Sequence, residues 1–265
     1  MIIDVHSHLY RSNSSAASWW LAGEPDGPVP IARYVAHAVA QPVDLMFMSA
    51  DPQPLDTPSK LSDANDAVAS AVALAPGRLV GQCQVLPGLI EASLVEMEKH
   101  IARGAMRGIG ELCQYLNDYE PDAPGLFPLI ERAAELDVPV LYHASKEEHT
   151  RGLDRLASMF PRARFIMAHI GGMSNWWNGI DVSRSRDNVW VDTSGFVLLC
   201  YGALRRALAT LGPSKILFGV DFPLVPAAAL LAALDSETLR SDERERIVSG
   251  NAVELFRLDG GRDPC

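Results

Sequence analysis

The sequence predicts an α/β fold, a single (β/α)8 TIM barrel with a C-terminal closing helix, on three observations. Short apolar runs rich in β-branched residues begin near positions 2, 43, 78, 106, 138, 164, 188 and 215. Each is followed by a stretch with the three-to-four spacing of an amphipathic helix, and strict alternation of this kind implies parallel strands joined by right-handed crossovers. Eight such repeats in 265 residues suit a closed barrel better than an open doubly wound sheet. No Pro-, Gly- or Ser-rich linker or break in composition divides the chain, so residues 1–265 read as one domain.

In chain order the strand candidates are 2–9 (IIDVHSHL), 43–49 (VDLMFMS), 78–85 (RLVGQCQV) and 106–112 (MRGIGEL), then 138–143 (VPVLYH), 164–169 (RFIMAH), 188–192 (NVWVD) and 215–221 (KILFGVD). Their near-continuous apolar character is what strands buried on both faces require. Met46 and Met48, two apart on the second strand, read as core. Helix candidates are 61–75, capped by Ser62 or Asp63 and stopped by Pro76-Gly77, and 89–103, ending at Gly104. Further helices are expected at 127–136, 153–160, 202–211 and 227–234, with a last one at 242–256 behind the eighth strand. The stretches after strands one and six read as loops.

Composition excludes several classes of function. With 48% hydrophobic residues the chain is not disordered, and at this length it can bury a core without disulfides. Lys and Arg total 23 against 33 Asp and Glu, a net charge of −10, which argues against nucleic-acid or anionic-membrane partners. No charge-free apolar run approaches the ~20 residues of a bilayer span. The expected partner is a small-molecule substrate. Four scattered cysteines without a CxxC pair, and an N-terminus without a basic-then-apolar leader, read as a reduced, cytoplasmic protein.

Chemistry in such barrels sits at the C-terminal ends of the strands. There the polar residues interrupt the apolar runs: His6 and His8, Glu111, His143, His169 and Asp221, with Asp51 and Asp192 closing the second and seventh runs. His6 and His8, two apart on a strand, share a side, and neutral imidazole is the usual ligand of zinc-like cations. Buried carboxylates such as Glu111 and Asp221 are costly unless paired or bound to a cation. His37, His100 and His149 fall off this pattern and read as surface residues. Gly108-x-Gly110-x-x-Cys113 lacks the third glycine of a dinucleotide loop, and no GxSxG elbow occurs.

The ordered set IDVHSH, GIGE, LYHAS, MAHIGG and GVDFP resembles the amidohydrolase superfamily, most closely the amidohydrolase-2 group of metal-dependent hydrolases and decarboxylases. The resemblance covers essentially the whole chain, and residues 247–256 look like that group's closing helix. It implies that His6, His8 and Asp221 hold the more buried ion. His143 takes the place of the strand-five ligand, and His169 that of the strand-six ligand or of a histidine that polarises substrate. Many members carry a metal-bridging carboxylated lysine on strand four. Glu111 stands there instead, as in TatD-type deoxyribonucleases, either bridging two ions or serving a single ion in proton transfer. The implied cofactor is a divalent metal, zinc first, with manganese, cobalt or iron as alternatives, as one or two ions.

The implied reaction is hydrolysis of an amide, lactone or other ester bond of a small molecule. A cation makes water nucleophilic near neutral pH, and Asp221 takes the proton and passes it to the leaving group. Non-oxidative decarboxylation of an aromatic or unsaturated acid is the alternative, and a TatD-like phosphoesterase ranks third. Candidate substrate residues lie on the βα loops: Arg11, Trp19 and Trp20 after strand one, Tyr115 after strand four, and Trp176 and Trp177 after strand six. Barrels of this group often form dimers, and the Ala- and Leu-rich face at 227–234 offers a homodimer contact.

Overall fold

Each of the eight apolar runs forms a strand: β1 Ile3–Leu9, β2 Leu45–Ala50, β3 Leu79–Cys83, β4 Gly108–Leu112, β5 Val140–Tyr142, β6 Phe165–Met167, β7 Val189–Asp192 and β8 Ile216–Leu217. They pair in parallel, in chain order, as one sheet. Past β8 the backbone returns along β1. Val5 N–H donates to the Phe218 carbonyl at 3.0 Å, His8 N–H to that of Phe222 at 2.8 Å, and Asp221 N–H to that of His6 at 2.6 Å. These bonds roll the sheet into the barrel that the alternation predicts. The structure is a computed structural model and describes residues 1–10, 29–172 and 176–258.

The helices α1 Ile31–Val39, α2 Pro58–Leu74, α3 Ile90–Met97, α4 Phe127–Glu135, α5 Glu147–Met159, α6 Trp176–Ser185, α7 Ala203–Leu211 and α8 Ala227–Ser236 follow the strands in turn. After β8 and α8 come α9 Ser241–Glu245, one wider π turn and α10 Asn251–Phe256. Some helices depart from the expected bounds. No long apolar stripe announces α1, which buries only Tyr34, Val35 and Ala38. Helix α2 starts at Pro58 rather than 61, because the Thr57 side chain accepts the Lys60 N–H at 3.2 Å and proline suits the first helical position. Helix α5 starts at Glu147 rather than 153, with Glu147 and Glu148 in a first turn that favours negative charge. A helix, α6, replaces the loop expected at Trp176 and Trp177. His37 is exposed, but His100 and His149 are buried, not on the surface. His100 lies 3.1 Å from Glu96 Oε2, and the early start of α5 turns His149 inward.

The core has two shells. Outside the strands, Met46, Met48, Ile109, Leu112 and Tyr142 meet helix residues such as Val68, Leu129 and Leu153. Inside the barrel, Ile3, Val5, Leu45, Phe47, Leu141 and Ile166 form a floor with Leu255 and Phe256 of α10. The closing helix therefore plugs one mouth of the barrel, with the Phe256 ring 3.9 Å from that of Phe47. Asn251 fastens it, donating to the Pro213 and Ile216 carbonyls at 2.7 Å.

Two strands break their register, and the breaks position the site. Pairing slips between Asp4 and Ser7 in β1 and between Ile109 and Leu112 in β4. An extra residue of this kind changes which face the next side chains take. In β1 it lets Ile3 and Val5 join the floor while His6 and His8 also face inward. In β4, Ile109 and Leu112, three apart, both pack outward and leave Glu111 inside. Asp4 pins the β1 irregularity by accepting the His6 N–H at 3.0 Å, the Val220 N–H at 2.9 Å and the Ser7 hydroxyl. Among the described residues no helix is long and apolar enough to cross a membrane.

Replacing Phe256 by alanine should remove the plug and lower the unfolding free energy by about 3–5 kcal/mol. Leu74→Ala, at an exposed position, should stay within ~0.5 kcal/mol of wild type. Denaturant titration of the two variants checks this, and equal midpoints would remove the plug from the account of stability.

Candidate metal centre

Six polar side chains converge above the floor: His6 and His8 on β1, Glu111 on β4, and His143, His169 and Asp221 just beyond β5, β6 and β8. His6 Nε2 and His8 Nε2 are 3.1 Å apart. Glu111 Oε2 lies 3.7 and 3.4 Å from these two atoms, and Asp221 Oδ1 lies 3.9 and 3.5 Å from them. Ligand atoms about 2.1 Å from one cation are separated by roughly 3.0 Å in an octahedron and roughly 3.4 Å in a tetrahedron. The four atoms thus have close to the mutual spacing of one coordination shell.

The outer nitrogens of the pair decide what the inner ones carry. His8 Nδ1 faces the Ala50 carbonyl at 3.2 Å, and His6 Nδ1 faces Asp192 Oδ2 at 2.9 Å. Both partners only accept, so both Nδ1 atoms donate, and each ring, when neutral, turns its Nε2 lone pair inward. Two lone pairs at 3.1 Å, ringed by carboxylate oxygens, repel unless a positive charge sits among them. This donor set fits a divalent cation.

The second oxygen of Glu111 serves the other histidines. Its Oε1 is 2.9 Å from His143 Nδ1 and 3.7 Å from His169 Nε2. Glu111 therefore stands between two histidine pairs with one oxygen towards each. Around it, the Cys113 thiol donates to Oε2 at 3.1 Å, the Ser145 hydroxyl lies 3.0 Å from His143 Nε2, and Gln114 donates to the His143 carbonyl at 2.9 Å. Glu111, Cys113 and His143 form a second group whose ligand atoms lie within 4.8 Å of one another.

Burial penalises charge here, yet the neighbours outweigh it. Complete burial by itself lowers the His6 pKa, but the Glu111 and Asp192 carboxylates hold it well above its usual range. Burial would raise Glu111, while His6 and His143 hold it well below the ordinary carboxylate range. Asp192 is lowered in the same way, His6 overcoming its burial. His169 is lowered by burial, which favours the neutral ring. The backbone is also held under strain, for His169 (φ 58°) and Asp221 (φ 66°) both lie in the left-handed region. Gly195, at φ 68°, lets the chain pass the His169 ring, because a Cβ there would lie 3.1 Å from Nδ1.

Tyr115 is on the rim, half exposed, its ring 4.7 Å from that of His143. Trp176 and Trp177 stack on each other at 4.1 Å, and Arg206 of α7 sits 4.8 Å above the Trp177 ring, so these contacts bind α6 to α7. Arg11, Trp19 and Trp20 lie outside the described residues. Spacing gave no sign of Ser145, Ser194 or Tyr10, whose ring meets His8 edge-on at 5.8 Å. Asp192 alone among the supporting groups carried a signal, as the polar end of an apolar strand.

A barrel with a metal-ligand set at its C-terminal mouth defines a class of metal-dependent enzymes. The amidohydrolase-2 family model matches residues 3–258, and the chain belongs to that family, within the amidohydrolase superfamily of enzymes. Similar solved structures include a dihydroxybenzoic acid decarboxylase from Polaromonas sp. JS666 with bound manganese and 2-nitroresorcinol, at TM-score 0.72 and 19% identity over 97% of each chain. A 5-carboxyvanillate decarboxylase from Novosphingobium aromaticivorans, complexed with manganese, matches at TM-score 0.74 and 15% identity over 97% of this chain and 96% of that one. A 4-oxalomesaconate hydratase from Rhodopseudomonas palustris matches at 0.73 and 17%, over 98% and 97%. At these identities the likeness is one of fold.

His8→Ala should sharply reduce the divalent metal retained by protein purified without chelator, read by elemental analysis, and full retention would remove His8 from the centre. The His149 ring supplies a pH test, since burial first and the nearby His143 second lower its pKa from 6.5 to about 4. The unfolded chain takes up this proton first, so the stability contribution is whole above about pH 6.5 and is lost as the pH falls towards about 4. Unfolding midpoints should therefore drop more on acidification for wild type than for His149→Gln. Parallel pH profiles would show that His149 contributes nothing to acid sensitivity.

Proposed function

We propose that the protein is a metal-dependent hydrolase acting on an amide, lactone or other ester bond of a small molecule. The observation that carries this reading is Glu111, whose oxygens address the His6–His8 pair and the His143–His169 pair separately. A carboxylate so placed suits two cations side by side, an arrangement used to activate water against a polarised bond. His6, His8 and Asp221 would hold one ion, and His143 and His169 the other, with Glu111 shared. Zinc is the first candidate, and manganese, cobalt and iron are alternatives. When bound, such cations supply Lewis acidity, which brings the pKa of water towards neutrality and polarises a carbonyl oxygen.

The protein's own groups do the rest. Asp221 takes the proton of the attacking water and delivers it to the leaving group. Asp192 and Ala50 fix the rings of His6 and His8 so that their lone pairs stay on the centre. Tyr115 offers a flat wall at the rim, suited to an apolar or planar substrate.

Decarboxylation of an aromatic acid is the second reading, favoured by the activities named for the Polaromonas and Novosphingobium structures and by their manganese. Metal content and product analysis separate the two. About two ions per chain, with acid release and no carbon dioxide from an ester or amide panel, are expected for the hydrolase. Asp221→Asn should then lower turnover by roughly 100- to 10,000-fold while the fold is retained. About one ion per chain, with carbon dioxide released from aromatic acids, would overturn the first reading in favour of the second.

A further inference from the structure

We propose that Ser194, working with Asp192, locks His169 into the tautomer that carries its proton on Nδ1, so that the ring presents a bare Nε2 to the centre. The inference rests on the reading that His169 serves the centre, and it decides between two roles for that ring. A bare Nε2 binds a cation or accepts a proton. It cannot donate a hydrogen bond that polarises a substrate carbonyl.

Asp192, Ser194, His6 and His169 form a closed cluster in which each proton has one place. Asp192, fully buried at the end of β7, accepts His6 Nδ1–H on Oδ2 at 2.9 Å. Its Oδ1 accepts the backbone N–H groups of Ser194 and His169, both at 3.0 Å, and also meets the Ser194 hydroxyl. That same hydroxyl oxygen lies 3.0 Å from His6 Nδ1 and 2.9 Å from His169 Nδ1. A hydroxyl has one proton to give and two lone pairs.

The carboxylate takes the proton. A hydrogen bond to an ionised acceptor is roughly twice as strong as a neutral one, and turning the proton elsewhere would leave an oxygen lone pair against Oδ1 where both side chains are fully buried. With its proton committed, Ser194 Oγ can only accept, so the hydrogen between it and His169 belongs to Nδ1. The neutral ring then has its lone pair on Nε2, which faces Glu111 Oε1 across 3.7 Å. Two acceptors opposed at that distance leave a gap suited to a cation. Gly195 completes the arrangement, since any Cβ there would meet His169 Nδ1 at 3.1 Å. Ser194 is thus a positioning residue that acts on two imidazoles at once.

The test is nitrogen NMR of metal-stripped protein labelled with 15N-histidine, near neutral pH, with the His169 signals identified by their loss in His169→Asn. Wild type should show a protonated, pyrrole-like Nδ1 and an unprotonated, pyridine-like Nε2 for His169. Ser194→Ala should populate the other tautomer and weaken Zn²⁺ binding by roughly 10- to 100-fold, whereas Ser194→Thr, which keeps the hydroxyl, should restore both. A proton on His169 Nε2 in wild type would overturn the inference. So would a Ser194→Ala variant with unchanged tautomer and Zn²⁺ affinity. The tautomer is read without substrate, so an Nδ1-protonated ring in a protein that hydrolyses nothing would sink the proposed reaction and leave this inference standing.

Discussion

Ionised carboxylates can be packed among imidazoles inside a protein only where positive charge balances them, and that balance organises everything above the barrel floor. Glu111, Asp192 and Asp221 are all buried, and each would be costly alone. They are tolerated because every one of them faces a ring nitrogen or a backbone N–H. Without a cation, the Glu111 and Asp192 carboxylates hold a proton on His6 well above its usual range. A divalent ion would take over that duty, displacing protons from nitrogens already turned towards it.

This arrangement needs a rigid base, and the apolar floor provides one. The inner shell of Ile3, Val5, Phe47 and Phe256 is apolar and buried, so movement of the histidine pair would break packing. The register breaks in β1 and β4 are the hinge between the two levels. They let one strand contribute large aliphatic side chains below and ligand-type side chains above, without turning either outwards. Asp4 and Ser7 hold the β1 break and the seam with the chain past β8.

Much of this was legible in the sequence because hydrophobic rhythm and polar interruptions are both local signals. Every strand run, and each of the six residues that meet at the centre, could be read from a polar side chain ending an apolar stretch. What escaped depends on contacts between distant segments. The irregularities in β1 and β4 are set by pairing with neighbouring strands, so no alternation pattern shows them. His149 looked like a surface residue until the early start of α5 turned it inward. Ser194 is one serine among many, and its role exists only where β7, β6 and β1 meet. The tryptophans after β6 read as loop residues in the sequence, and their place on a helix, with Arg206 of α7 over the Trp177 ring, is likewise set by contacts between segments.

The seam between β1 and the chain past β8 joins the first and last strands of the barrel. His6 and His8 leave the ribosome well before Asp221, the backbone that closes the ring and the helix that plugs it. A nascent barrel therefore exposes its imidazole pair while β2 to β8 are still being made, without the carboxylate and walls that complete the seat. Assembly of the centre then reports that the whole barrel has been made, and a chain cut short before β8 keeps two imidazoles but no enclosed site around them.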